Sequence, residues 1–88
     1  MSYNYQQEKK GLLDDEGQRF FTKMRDGVLK LIEQAGAVRM QEAFKCAPGS
    51  YKSWTAMAVL DRMVELGDLM ELTDGNVAGQ NRVFVRAN

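Results

Sequence analysis

Few side chains in this 88-residue chain are suited to making or breaking bonds. It has no histidine, so the general base that ordinarily works near neutral pH is missing. Its single cysteine, Cys46, has only the adjacent Lys45 to activate it and cannot form an internal disulfide. A zinc site would have to combine that one thiolate with carboxylates, a poor ligand set for the metal. Asp14, Asp15 and Glu16 form a carboxylate cluster, but acids at a helix start are explained by the helix dipole. The glycines are scattered among turns and match neither a phosphate-binding loop nor a dinucleotide fingerprint. No enzymatic activity, metal or cofactor is therefore expected, and Cys46 reads as a small packing residue. What remains is binding chemistry: the run Ser50, Tyr51, Lys52, Ser53 and Thr55, and the pair Asn81 and Arg82 further on.

The elements that must position these groups have to fit in one domain. A chain of this size buries only about 60% of the surface its unfolded form exposes, so the core is small. No apolar run approaches the roughly 18 residues needed to span a bilayer, and the polar start lacks the apolar centre of a signal peptide, so a cytoplasmic protein is expected. Net charge is zero, but it is unevenly placed. Residues 37–60 carry Arg39, Lys45 and Lys52 against Glu42, and residues 75–88 carry only Arg82 and Arg86. Between them, residues 61–74 hold Asp61, Glu65, Asp68, Glu71 and Asp74 against Arg62. Acid thus collects between two positive segments.

Residues 1–13 have no apolar periodicity and are broken by Gly11, so they read as a flexible N-terminal arm. Residues 14–88 read as the folded domain. After the acidic start, Phe21, Met24, Val28, Leu31, Ile32 and Ala35 recur at three and four residues, which predicts the buried face of a first helix ending near Gly36. Arg19, Lys23 and Lys30 lie off that stripe and read as a solvated face. Ala37–Arg39 is too short for an independent strand but long enough to pair with a later hairpin. Met40–Cys46 predicts a short second helix with Ala43 and Phe44 inward, and Ala47–Ser50 supplies a breaker. Ser50 is the expected cap of a third helix, whose apolar set Ala56, Val59, Leu60, Met63 and Val64 continues to Gly67, a residue suited to a left-handed C-terminal cap. Leu69–Thr73 and Arg82–Ala87 are strand candidates. The Gly- and Asn-rich loop between them reads as a turn.

Helix, short strand, helix, turn, helix and two strands, together with Val59–Leu69 followed by Arg82–Val85, resemble the winged helix-turn-helix family, notably the small freestanding members of bacteria and phages. The resemblance covers residues 14–87. It implies an α+β fold of three helices with a small antiparallel β-hairpin wing, and a DNA-binding protein such as a transcription regulator or phage accessory factor. In that family the start of the third helix enters the major groove, where each base pair shows a distinct pattern of donors and acceptors. The resemblance therefore implies contacts from Ser50, Tyr51, Lys52, Ser53, Thr55 and Met57. Arg39 and Lys45 are the implied phosphate contacts, and Asn81 and Arg82 the wing contacts. Arg82 is the strongest of the wing candidates.

Two features depart from the pattern: no bidentate Arg stands in the third helix to read guanine, and Trp54 and Met57 make its face apolar. Trp54 reads either as an aromatic plug of the core or as a platform for a partner. The alternative function is accordingly a winged helix used for protein interaction without DNA. Double-stranded DNA is the expected partner, with a homodimer or a protein bound through the N-terminal arm or first helix as further associations.

Overall fold

The computed structural model describes residues 2–73 and 81–87. Among them are four helices and a three-stranded antiparallel sheet in a small α+β fold. The order along the chain is α1 (Tyr5–Lys9), a 3-10 turn (Lys10–Leu12), α2 (Asp15–Ala35), β1 (Val38–Arg39), α3 (Met40–Phe44), α4 (Ser53–Glu65), β2 (Leu69–Glu71) and β3 (Val83–Arg86). The expected turn loop, with Asp74, Asn76 and Gln80, lies outside the described residues.

The local signals for α2 act as expected. The Asp14 side chain accepts a hydrogen bond from the Gly17 N–H at 2.7 Å, satisfying one of the helix's orphan donors. Met24, Val28 and Ile32 are buried, Phe21 and Leu31 partly so, while Ala35 at the last turn is exposed. On α4 the buried set is Ala56, Val59, Leu60 and Met63, but Val64 is exposed and Ala58 is fully buried. The helix ends as Gly67 predicts. Gly67 takes φ 85°, its N–H donates to Val64 O, and the Asp68 N–H donates to Met63 O at 2.8 Å. That pair of bonds is a Schellman motif, and the φ it demands is strained for residues other than glycine.

β3 is the central strand, with β1 on one side and β2 on the other. Val38 pairs with Phe84, and Glu71 pairs with the same residue from the other edge. Phe84 therefore sits in mid-sheet, fully buried, and helix and sheet side chains close around it. Alternation along the strands turns Leu69 inward and leaves Met70 and Leu72 exposed on the outer face.

Residues 2–13 are not a free arm. Asn4 caps α1 through the Gln7 N–H, α1 packs on α4, and Leu12 is 2% exposed within the core. The 3-10 turn presses so closely on the start of α2 that a Cβ at Gly17 would lie 2.1 Å from the Gly11 carbonyl oxygen. The arm is ordered by contacts with groups some sixty residues away, which local periodicity does not register.

Candidate nucleic-acid interface

α3, the turn after it and the first turn of α4 bring the expected contact residues to one region. Lys45, Ser50, Lys52 and Ser53 are exposed, and neither lysine has an ion-pair partner among the described residues. Arg39 is exposed as well. Its backbone N–H is taken by Glu42 Oε1 at 3.0 Å, and its guanidinium pairs with no acid among the described residues.

Ser50 does not cap the helix. α4 begins at Ser53, three residues later, so Lys52 occupies the capping position and supplies no side-chain bond. Its carbonyl instead accepts from the Thr55 N–H at 3.0 Å and the Ala56 N–H at 3.2 Å. The positive end of the dipole thus opens beside an ammonium group, an arrangement that attracts anions.

Tyr51 is held by its neighbours, with its ring 6.3 Å from that of Phe20 and 6.1 Å from that of Phe44. Both distances lie within the range of favourable aromatic pairs. Tyr51 keeps 40% of its surface exposed, so one edge of the ring is accessible. Glu16 and Phe20 of α2 face Ser50, Tyr51, Lys52 and Thr55 across an open groove. Thr55 is partly buried there, one turn into the helix. Lys45 shares a second hollow with Lys30, Gln34, Glu42 and Cys46. Lys30 is exposed, as expected of a solvated face. Burial pushes the Cys46 thiol up, in keeping with a packing role.

Two expected contacts are drawn elsewhere. Met57 is partly buried and packs against the core, so its thioether is not offered to a groove. Arg82 is the larger correction. Its Nε and Nη2 donate to Glu71 at 2.9 and 2.7 Å, and Nη2 also donates to Asp61 at 2.6 Å. The guanidinium lies 5.1 Å from the centre of the Phe84 ring. Its side chain is 16% exposed, and the bonds to Glu71 and Asp61 push its pKa further up. Arg82 joins sheet to helix and is not a wing contact. The overlooked signal is alternation: Arg82 stands two residues before Phe84, on the same inward face of the strand. Asn81 beside it is exposed.

The acids between Asp61 and Glu71 prove to be anchors. Tyr3 Oη donates to Asp61 at 2.6 Å, and Tyr5 Oη donates to Glu65 at 2.9 Å. Glu65 also meets Lys9 and Arg62, and Arg25 makes a two-pronged contact with Asp68 at 2.8 and 3.1 Å. Lys9 first, and then Arg62 and Tyr5, hold the Glu65 carboxyl down at about 2. Trp54 is partly buried and meets Tyr3 edge-on at 6.4 Å between ring centres, so the arm, not the core, covers it.

Asp61, Glu65, Asp68 and Glu71, of the acids that separate the two basic segments in sequence, thus each meet a cation, and Lys45 and Lys52 are left on the surface. No helix among the described residues is long and apolar enough to cross a membrane. Compared with known protein families, curated proteins and solved structures, the chain matches none.

Proposed function

We propose that this chain is a winged helix that binds DNA, as a small transcription regulator or phage accessory factor, docking through Lys45–Thr55. One observation carries the reading: α4 starts without a side-chain cap and with Lys52 at its positive end, and Lys45 follows α3 on the same chain segment. Both lysines are exposed and unpaired among the described residues. Phosphate is the anion such a helix start accommodates best, because dipole, backbone N–H groups and ammonium act together. The element order, with β3 between β1 and β2, supports the winged-helix assignment. Ser50, Ser53 and the exposed edge of Tyr51 add hydrogen-bond donors that position a backbone. Arg39 extends the basic surface.

Fluorescence anisotropy with mixed-sequence duplexes over a salt series tests the proposal. Binding is expected at about 50 mM salt and should weaken steeply as salt rises, because neutralised phosphates release counterions. Absence of binding at low salt sinks it. The second reading, a protein-interaction module, draws on the outer sheet face, where Met70 is 51% and Leu72 59% exposed.

A further inference from the structure

Gly27, Lys30, Leu31 and Gln34 stand three, one and three residues apart and so share one face of α2. Glu42, Lys45 and Cys46 have the same spacing along α3 and the turn that ends it. The two sets meet across an open hollow of about 400 Å³ with a mostly apolar wall. That volume is within the range of small-molecule sites, which combine apolar walls with a few placed polar groups. Its floor is set by a close approach. A Cβ at Gly27 would lie 2.9 Å from the Cys46 Cβ and 3.2 Å from its Sγ, so glycine is what lets the thiol rest against α2. Glycine weakens a helix interior relative to alanine, and this contact accounts for its presence in the middle of α2. Leu31 is half-buried beside it, and burial raises the Cys46 thiol so that it is neutral near pH 7.

The rim is polar and charged. Lys30 and Lys45 are exposed, and neither pairs with an acid among the described residues. Glu42 is the one acid lining the hollow, and its Oε1 accepts the Arg39 N–H at 3.0 Å. Two ammonium groups against one carboxylate leave the rim positive, and the Gln34 amide adds donors. We infer that this hollow binds a small amphipathic anion, with an apolar body on Gly27, Leu31 and Cys46 and a carboxylate or sulfonate head between Lys30 and Lys45. A neutral apolar molecule would use only the floor, and a bare inorganic anion only the rim. An amphipathic anion uses both. Of the groups proposed to touch DNA the hollow uses only Lys45, and the inference stands whether or not the chain binds DNA.

The probe is anilinonaphthalene sulfonate, with N-phenylnaphthylamine, the same rings without the sulfonate, as the neutral control. Titration of the full chain with the sulfonate should give a saturable rise in its emission. In the complex, alkylation of Cys46 by iodoacetamide should slow, because the ring system covers the thiol. The double variant Lys30→Gln/Lys45→Gln removes both charges from exposed side chains, so it should fold normally and bind the sulfonate about tenfold more weakly, with the neutral dye unchanged. Sulfonate binding that leaves Cys46 unprotected places the dye elsewhere, as on the exposed Met70 and Leu72, and overturns the site. Absence of saturable binding overturns it too. Equal weakening of both dyes in the double variant, or no weakening of either, overturns the assignment of an anion.

Discussion

At its N-terminal end α4 begins uncapped, with Lys52 and Ser53 exposed. At the other end Asp61, Arg62 and Glu65 are joined to the arm, to the sheet and to one another. The two ends therefore carry charge for different purposes. Charges at the start have no partner among the described residues and act outward. Those in the later turns hold three separate parts of the chain together. A network runs from Glu71 on β2 through Arg82 to Asp61 on α4 and on to Tyr3 in the arm.

The strongest test of this contrast is Arg82→Ala. It strands the Asp61 and Glu71 carboxylates, whose side chains are 18% and 23% exposed, without their cation. Breaking a largely buried pair by removing one partner costs about 3 kcal/mol. In a domain of this size that lowers the melting temperature by roughly 12–24 °C. Calorimetry that finds no more than a degree or two of change would erase the distinction between Arg82 and the exposed lysines.

Gly17→Ala has a smaller expected effect and probes the seat of the arm. Alanine is the better helix former by up to about 1 kcal/mol, which alone would stabilise α2. Opposing that gain, the new Cβ would sit 2.1 Å from the Gly11 carbonyl oxygen, a backbone atom that can move only with the 3-10 turn. Overpacking of this kind costs about 1–3 kcal/mol, so with the full helix gain the net change runs from none to a loss of about 2 kcal/mol. Urea unfolding followed by helical circular dichroism measures it, and a gain in stability would mean that the arm yields freely.

The pH dependence separates the arm from the rest of the fold. Burial first, then the Glu65 carboxylate, pushes the Tyr5 hydroxyl up to about 12, and burial and Asp61 raise Tyr3 in the same direction. A group raised on folding contributes its full stabilisation below its unfolded value, near 10 for tyrosine, and loses it as pH rises through the folded value. The Tyr5 bond to Glu65 should thus be lost between pH 10 and 12, seen as tyrosinate absorbance, while Tyr3, raised more strongly, stays against Asp61 and Trp54 through that window. At the acid end the sign reverses. Glu65, held at about 2 by Lys9 and Arg62, and Asp68 and Glu71, lowered by Arg25 and Arg82, stabilise the fold above the ordinary carboxylate range. That contribution fades as pH falls from about 4.5 toward 2. Ionisation of both Tyr3 and Tyr5 near pH 10 would mean that neither hydroxyl is bound to α4.

These elements differed in how plainly they could be read. The α2 stripe, its acidic start and the Gly67 terminus follow from residues within a turn or two of one another, and local pattern carries them. The arm does not, because Tyr3 finds Asp61 58 residues away and Tyr5 finds Glu65 60 residues away. Nothing near residue 3 marks it as ordered except Leu12, a single apolar side chain. Arg82 misled for a related reason, since a cation beside a turn looks the same in sequence whether it faces water or Asp61. The acid run at 61–71 was visible, but its use as a set of anchors depends on where Lys9, Arg25 and Arg82 arrive in space. At the candidate interface, the exposure of Lys45, Ser50, Lys52 and Ser53 was legible, because a helix start at the surface needs only a breaker and an apolar run after it. Met57 was not, because a methionine at the edge of a stripe is flexible enough to turn either way.

The smallest expected effect on stability belongs to Lys52→Ala combined with Lys45→Ala. Neither ammonium has an ion-pair partner among the described residues, and both side chains are exposed, so unfolding should change by less than about 0.5 kcal/mol. Their effect should appear in duplex binding. Each lost phosphate contact lowers the slope of log affinity against log salt by about one, so the double variant should lose about two units of slope and bind all sequences more weakly by similar factors. A sequence-dependent loss would make these lysines base readers and move the interface deeper into the groove. An unchanged slope together with lost stability would place the start of α4 in the same class as its end, with charges that hold the protein together and do not face a partner.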